Sequence, residues 1–377
     1  MNELGLKTSK LFDSPKLLFT IAANIGDTAI LDYPSCFPDS IVALIPKNKN
    51  ILLEYLNIYL KIIKPYVVEL APYAAQRNLN NQQLAQIPII IPPKEIQDQV
   101  ILKMNNAYTL KQQKELEAQR SLDSIDDYLL GELGINLPEA EENTLQNRIF
   151  YRKFNDISGN RFDCNYNSKI NLILSQNGKY KIAYLKNLLV TSPQYGANEI
   201  AIDKNSATEV TYIRITDIDD FGYLKKDSLK TASTIEEQYI LKKNDLLFAR
   251  SGSVGRCYLH QDDTHKSIFA GYLIRFVINT EIANPYYIFY YCHSKIYKMW
   301  VDAISRSAVQ SNINSEEYKS LPIFLPPLDK QLEIVEYIDA IRDRAKQLRQ
   351  EAEADLEKAK QEVEAMILGT GYLDGSS

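Results

Sequence analysis

Cysteine is scarce in this chain: four among 377 residues, at Cys36, Cys164, Cys257 and Cys292, with no CxxC pair. Cysteines scattered singly argue against both a disulfide framework and a zinc site. The three histidines, His260, His265 and His293, have no nucleophile or carboxylate at a spacing that suggests catalysis. A P-loop lysine motif, a glycine-rich cofactor fingerprint and an endonuclease-like carboxylate–lysine cluster are all missing. So is the Asn/Asp-Pro-Pro-aromatic tetrapeptide of adenine methyltransferases, for which "IPPK" and "LPPL" are the nearest strings. An enzyme acting alone therefore has no residues to rest on, and no cofactor is expected. Long apolar runs are also lacking. Ile87 to Pro93 falls far short of a membrane span, and residues 1–14 lack a basic-then-apolar signal layout. A cytoplasmic protein without a membrane partner is expected.

Net positive charge is missing from the whole, but not from every part. The chain carries −5 overall, yet residues 147–325 hold 23 Lys and Arg against 18 Asp and Glu. The flanking stretches 93–146 and 326–377 are acidic, with 5 against 11 and 7 against 12, while 1–92 is nearly neutral with 8 against 7. Basic blocks can meet phosphates and acidic ones are repelled by them. Hydrophobic residues at 45% and charged ones at 24% describe a globular protein, and the length suggests two or three folding units.

The most informative feature present is a long-period repeat. Leu17-Leu18-Phe19 and Gly26 recur as Leu246-Leu247-Phe248 and Gly255, offset by 229. "IPIIIPP" from Ile87 recurs as "LPIFLPP" from Leu321, offset by 234, and Gln76, Asn78, Asn80 and Gln97 recur as Gln310, Asn312, Asn314 and Gln331 at that offset. A five-residue difference is an ordinary loop change. Each copy reads as a β-rich run (Asp245 to Phe248), a Ser/Gly loop (Ser251 to Gly255), further strands and a helix near Pro285 to Ala303. "PIFLPP" reads as a strand ended by its proline pair. The second copy has a further stretch, about 147–244, ahead of "DLLFARSG", whereas sixteen residues precede Leu17. On this logic the chain holds one whole module and one half module.

A long helix follows each copy, roughly Lys94 to Leu133 and Leu328 to Leu368, each about 60 Å long at ~1.5 Å per residue. In the second, Ile338, Ile341, Ala345, Leu348, Ala352, Leu356, Ala359, Val363 and Met366 form a heptad seam with one stutter. The first keeps a looser version through Ile101, Met104, Tyr108, Ala118, Leu122, Ile125 and Leu129. Two stripes in matching positions are expected to bury each other as an antiparallel coiled coil. Solvated spacers are the alternative. The fold expected is α/β (α+β): a partial first domain (1–92), a central helix and linker (93–146), a second domain (147–325) and a C-terminal helix (326–377).

"KKNDLLFARSGSVGRCYL", then "QSNINSEEYKSLPIFLPPLDKQLEIV" and a long helix, with "LLFTIAANIGDTAIL" and "QRNLNNQQLAQIPIIIPPKEIQDQV" in the first copy, resemble the specificity subunit of Type I restriction-modification systems. The resemblance covers nearly the whole chain. It implies two target-recognition domains, each reading half of a split site in double-stranded DNA. The helices between them would dock methyltransferase subunits by their acidic outer faces, and a restriction/translocase subunit through these. ATP and the methyl donor would bind on those other subunits. A homodimer presenting the complete module twice would favour a palindrome.

The candidate contact residues follow. Arg250, Ser251 and Arg256 flank a Gly-punctuated loop from which guanidinium groups can reach phosphates, unless either arginine pairs with a surface carboxylate. Gln310 and Arg77 stand in amide-rich runs that can meet base edges, although Asn314 before Glu316-Glu317 reads as a helix N-cap. "SPQYGANE" and "TYIRITDI" are similar to a Tyr-Gly turn and a following Arg-bearing strand that meet the groove in a subset of the family, and the resemblance makes Gln194, Tyr195, Arg214 and Thr216 candidates for base readout. Tyr195 could equally be core, in a chain with 25 tyrosines. A coiled-coil adaptor without sequence-specific DNA contact is the competing function.

Overall fold

The computed structural model describes residues 9–71, 78–137, 144–145, 149, 151, 153–154, 162–206, 209–225, 229–262, 264–305 and 311–370. The chain divides into two compact units, Met1–Arg120 with Arg344–Ser377, and Ser121–Asp343. The division falls inside both long helices.

In the first unit, β1 (Lys16–Thr20), β2 (Thr28–Leu31) and β3 (Ile41–Leu44) form an antiparallel sheet in the order β2-β1-β3. Leu17 and Phe19 alternate inward from β1, as a half-buried strand requires. The helices α1 (Leu53–Ile62), α2 (Lys64–Glu69) and α3 (Asn81–Leu84) follow, then α4 (Lys94–Leu133). Tyr55, Leu56, Tyr59 and Leu60 carry α1 onto the core.

The second unit opens with α5 (Cys164–Leu174), β4 (Ile182–Tyr184) and β5 (Gln194–Tyr195). Next come β6 (Ala201–Asp203), β7 (Thr211–Ile213), β8 (Lys230–Ala232), β9 (Asp245–Ala249), β10 (Cys257–Leu259), β11 (Ser267–Phe269) and β12 (Leu273–Val277). The helices α6 (Pro285–Tyr291), α7 (Lys295–Ile304) and α8 (Ser315–Lys319), the strand β13 (Pro322–Phe324) and the helix α9 (Leu328–Leu368) complete it. The strands form sheets ordered β10-β9-β12-β5, β11-β7-β8-β6 and β13-β4, mixing parallel and antiparallel pairs. All five residues of β9 are buried: Leu246 to Ala249 are an unbroken apolar run, and the Asp245 carboxylate accepts from the Lys242 amide at 3.0 Å. The helical stretch expected near Pro285 to Ala303 is two helices, because Ser294 caps α7 by accepting from the Tyr297 amide. Asn314 caps α8 with Glu317 in a capping box, as its sequence suggests.

The long helices pack antiparallel within each unit. In the first, Lys103 pairs with Glu362, Lys111 with Glu353, and Lys114 with Glu351 (3.2 Å) and Asp355 (2.8 Å). In the second, Lys330 pairs with Glu132 at 2.6 Å and Tyr128 stacks on Tyr337 at 3.9 Å. Of the seam residues, Leu129, Ile338, Leu348, Leu356 and Val363 are buried, while Leu122, Ile125 and Ile341 are half-buried. The expected stripe needs two corrections. Tyr108 lies outside, exposed beneath the Lys61 ammonium, and Ile367 rather than Met366 fills the last buried position. A second spacing of four, Val363 to Ile367, rotates the seam at its end.

The repeat is legible as matched hydrogen bonds. Tyr55 and Tyr59 donate to the carbonyls of Ile90 and Pro88, as Tyr287 and Tyr291 do to Phe324 and Pro322. Gln97 accepts from the Leu52 amide and donates to Pro92 O, as Gln331 does with Asn284 and Pro326. One expectation fails. Residues 87–93 form no strand, whereas their counterpart β13 pairs with β4. Among the described residues no helix is long and apolar enough to cross a membrane.

Candidate nucleic-acid interface

Antiparallel pairing in the sheet β10-β9-β12-β5 brings alternate strand ends to one edge. The last residue of β5, Tyr195, the residue after β9, Arg250, the residue before β10, Arg256, and the residue before β12, Tyr272, therefore share that edge. Three of these were visible as candidates in the sequence. Tyr272 was not.

The loop after β9 turns through Gly252 and Gly255, both at positive φ. At Gly255 a Cβ would also overlap Val301, so both the backbone angle (φ +83°) and the space require glycine. Its repeat counterpart Gly26 has φ +85°. Ser251 is buried, in a bridge to Asn312, and so faces the protein. The Arg250 backbone is held on both sides, its amide donating to Tyr272 O at 3.0 Å and its carbonyl accepting from Ile313 N at 2.8 Å.

The arginines of this unit differ sharply in what they touch. Arg214 grips the buried Asp217 through Nε (2.9 Å) and Nη2 (2.6 Å), and its own amide donates to the same carboxylate. Arg256 donates to the Ile218 carbonyl at 2.7 Å and pairs with Asp220, so it clamps the turn that carries Arg214 and the exposed Thr216. The surface-carboxylate alternative weighed for Arg256 is the arrangement found. Arg275 donates to Gln194 Oε1, to Ile240 O at 2.9 Å and to Asp245 at 3.5 Å, and burial raises the Asp245 carboxyl. Gln194 is thereby tied inward, its amide nitrogen donating to Gln238 O at 3.3 Å.

Arg250 is different. Its guanidinium lies 5.0 Å from the Tyr195 ring centroid, its Nε is buried without a hydrogen-bond partner, and no carboxylate among the described residues pairs with it. Tyr195 is fixed in turn, its hydroxyl accepting from Ser315 N at 3.1 Å and donating to Ser315 Oγ at 3.2 Å. The result is a cation stacked on an aromatic face, with no carboxylate among the described residues to neutralise it. Tyr272, 63% exposed, stands beside it. Gln310 and Arg77 lie outside the described residues.

Close backbone packing joins the loops at this edge. Ala197 N donates to Phe269 O at 2.8 Å and Gly271 N to Ala197 O at 2.7 Å, and a Cβ at Gly196 would overlap the carbonyl oxygens of both Phe269 and Ala270. Gly196→Ala is expected to cost about 1–3 kcal/mol of stability by overpacking. Denaturant unfolding checks this, and an unchanged midpoint would show that the two loops are free to part.

Two of the three histidines are packed inside, and His265 is exposed beside Asp262. His260 is buried 3.0 Å from Tyr258 Oη, and burial lowers His293 to about 4, so it stays neutral. No group of His, Cys, Asp and Glu among the described residues could hold a metal ion.

The family model of the Type I restriction modification DNA specificity domain matches residues 1–122 and 198–358. The specificity subunit of the Type I restriction enzyme EcoBI from Escherichia coli is 25% identical over 150 residues, 39% of this chain. The match spans 31% of that relative's length. A solved chain described in connection with complex assembly and conformational transition of the type I R-M system is 12% identical, with TM-score 0.56 over 97% of this chain and 83% of its own, a likeness of fold. The HsdS subunit of Thermoanaerobacter tengcongensis is 13% identical, with TM-score 0.43 over 97% and 82%.

Proposed function

The chain belongs to the Type I restriction modification DNA specificity domain family, and from that premise we propose that it binds double-stranded DNA sequence-specifically and catalyses nothing itself. The second unit reads DNA with the sheet edge that carries Arg250, Tyr195 and Tyr272. The observation that carries this reading is the Arg250 guanidinium, stacked on Tyr195 with no carboxylate partner among the described residues. An arginine whose Nε is turned into the protein keeps its two terminal nitrogens to present end-on. That fork matches guanine O6 and N7, or the oxygens of a phosphate.

Arg214 and Arg256 act one step back from the DNA. Bound to Asp217, Ile218 O and Asp220, they set the turn from which the exposed Thr216 can reach a base or phosphate. Gln194 serves the same edge through Arg275. The long helices dock methyltransferase subunits, and these bring a restriction/translocase subunit. Leu102, Leu110 and Leu116, exposed on α4, give such subunits apolar surface to cover.

Selection of bound duplexes by the full chain, followed by affinity measurement across salt concentrations, tests the reading. A preferred sequence should emerge, and log K should fall linearly with log salt as phosphate counterions are released. Binding without sequence preference would leave the adaptor reading, and no duplex binding at all would overturn the second unit's assignment to DNA.

A further inference from the structure

The two copies of the repeat differ at one place where the difference has chemical content. In the second unit, β13 is covered by β4: Pro322 faces Tyr184, Ile323 faces Ala183 and Phe324 faces Ile182. Leu185 N donates to Leu321 O at 3.0 Å and Leu325 N to Lys181 O at 3.0 Å, so the groups of residues 321, 323 and 325 point at the covering strand. Those of Pro322 and Phe324 point the other way, to Tyr291 and Tyr287.

In the first unit the inward half of this pattern is intact. Tyr59 donates to Pro88 O at 2.9 Å and Tyr55 to Ile90 O at 2.7 Å. Two carbonyls two residues apart facing the same helix, as in β13, is the spacing of an extended chain, and its alternation turns Ile87 O, both polar groups of Ile89 and Ile91 N to the other side. Among the described residues no hydrogen bond engages these groups, and Ile89, Ile90 and Ile91 are 42%, 39% and 47% exposed. The equivalent Ile323 and Phe324 are 0% and 1% exposed. Three consecutive exposed isoleucines on an unpaired extended segment form an edge set up for strand addition.

We infer that Ile87–Ile91 is an acceptor for an antiparallel β-strand supplied by a separate polypeptide, an extended apolar segment of the Ile182-Ala183-Tyr184 kind. The occupant is chosen because the second unit displays it on the homologous edge. Incoming residues at the Lys181, Ala183 and Leu185 positions would supply an acceptor for Ile91 N, a donor–acceptor pair for Ile89 and a donor for Ile87 O. The inference stands apart from the DNA-binding reading, because it concerns the first unit and uses no residue of the nucleic-acid interface.

The test adds a synthetic peptide of residues 162–186 to the full chain and follows amide hydrogen exchange. Binding should saturate and slow exchange at Ile89 and Ile91 by tenfold or more. The same peptide N-methylated at Ala183 lacks the donor to Ile89 O and should not protect. Ile91→Pro in the full chain removes an acceptor-facing donor and should abolish binding, with the helical circular dichroism unchanged. Equal protection by both peptides, or none at the highest soluble concentration, would overturn the inference. So would amides already protected in the peptide-free monomer, or protected only as the chain self-associates, because either result gives the edge a different occupant.

Discussion

Arg250→Ala is expected to lower the affinity of the full chain for its preferred duplex by about 5- to 150-fold, the equivalent of ~1–3 kcal/mol for one bidentate base contact. The expectation rests on how the charges of the second unit are used. Arg214 and Arg256 are bound to Asp217 and Asp220, and Arg275 to Gln194 and main-chain carbonyls, so removing any of them disturbs a turn or a strand first. Arg250 has no such partner among the described residues, and its backbone bonds to Tyr272 and Ile313 survive the substitution. Arg250→Lys should restore charge but not the planar fork, nor the stacking on Tyr195, and should recover binding only in part. If Arg250 reads guanine, a fresh selection with the alanine variant will show relaxed preference at one base pair. If it holds a phosphate, affinity falls for all sequences and the salt slope shrinks by about one charge. An unchanged affinity with an unchanged preferred sequence would remove Arg250, and the sheet edge with it, from the interface.

What the sequence disclosed depended on how local the determining physics was. Lys94–Leu133 and Leu328–Leu368 could be read almost to their ends, because a stripe sustained over forty residues has little else to be. Asn314 could be read as a cap because its partner Glu317 is three residues away. Arginine partnership could not. "TYIRITDI" contains both Arg214 and Asp217, but only the fold decides that the carboxylate is buried beneath the guanidinium instead of standing in solvent. Nothing local separates Arg250 from Arg256 either, since Asp220 reaches the latter from 36 residues away. Tyr272 was hidden among 25 tyrosines, and its exposure follows from its position one residue ahead of a strand that is otherwise largely inward. The unpaired Ile87–Ile91 segment shows the same limit. It has the proline-bounded apolar pattern of β13, and a pattern cannot say whether a partner strand is there to complete it.

Replacing both Leu348 and Leu356 with Glu is expected to unfold the first unit at 25 °C. Both side chains are buried, at 2% and 5% exposure, and Leu356 shares one apolar cluster with Val100, Met104, Ala359 and Val363. Truncating a buried leucine typically costs about 2–5 kcal/mol, and a carboxylate placed there without a partner adds the penalty of an unsolvated charge. Two such sites approach or exceed the ~5–15 kcal/mol that holds an ordinary domain together. The ion pairs along the same helices cannot compensate. Lys111–Glu353 and Lys103–Glu362 are solvent-exposed on their acidic side, and pairs of that kind contribute ~0–1 kcal/mol. Glu353→Gln and Glu362→Gln are therefore the matched controls, and each should shift the melting temperature by no more than a few degrees. Amide exchange reports the result unit by unit: Val100 and Met104 should lose protection in the double variant while β9, whose five residues are all buried in the second unit, keeps its own. Equal melting of the double variant and the unsubstituted chain would mean that the seam residues are not what joins the helices, and that the ion pairs, against expectation, are.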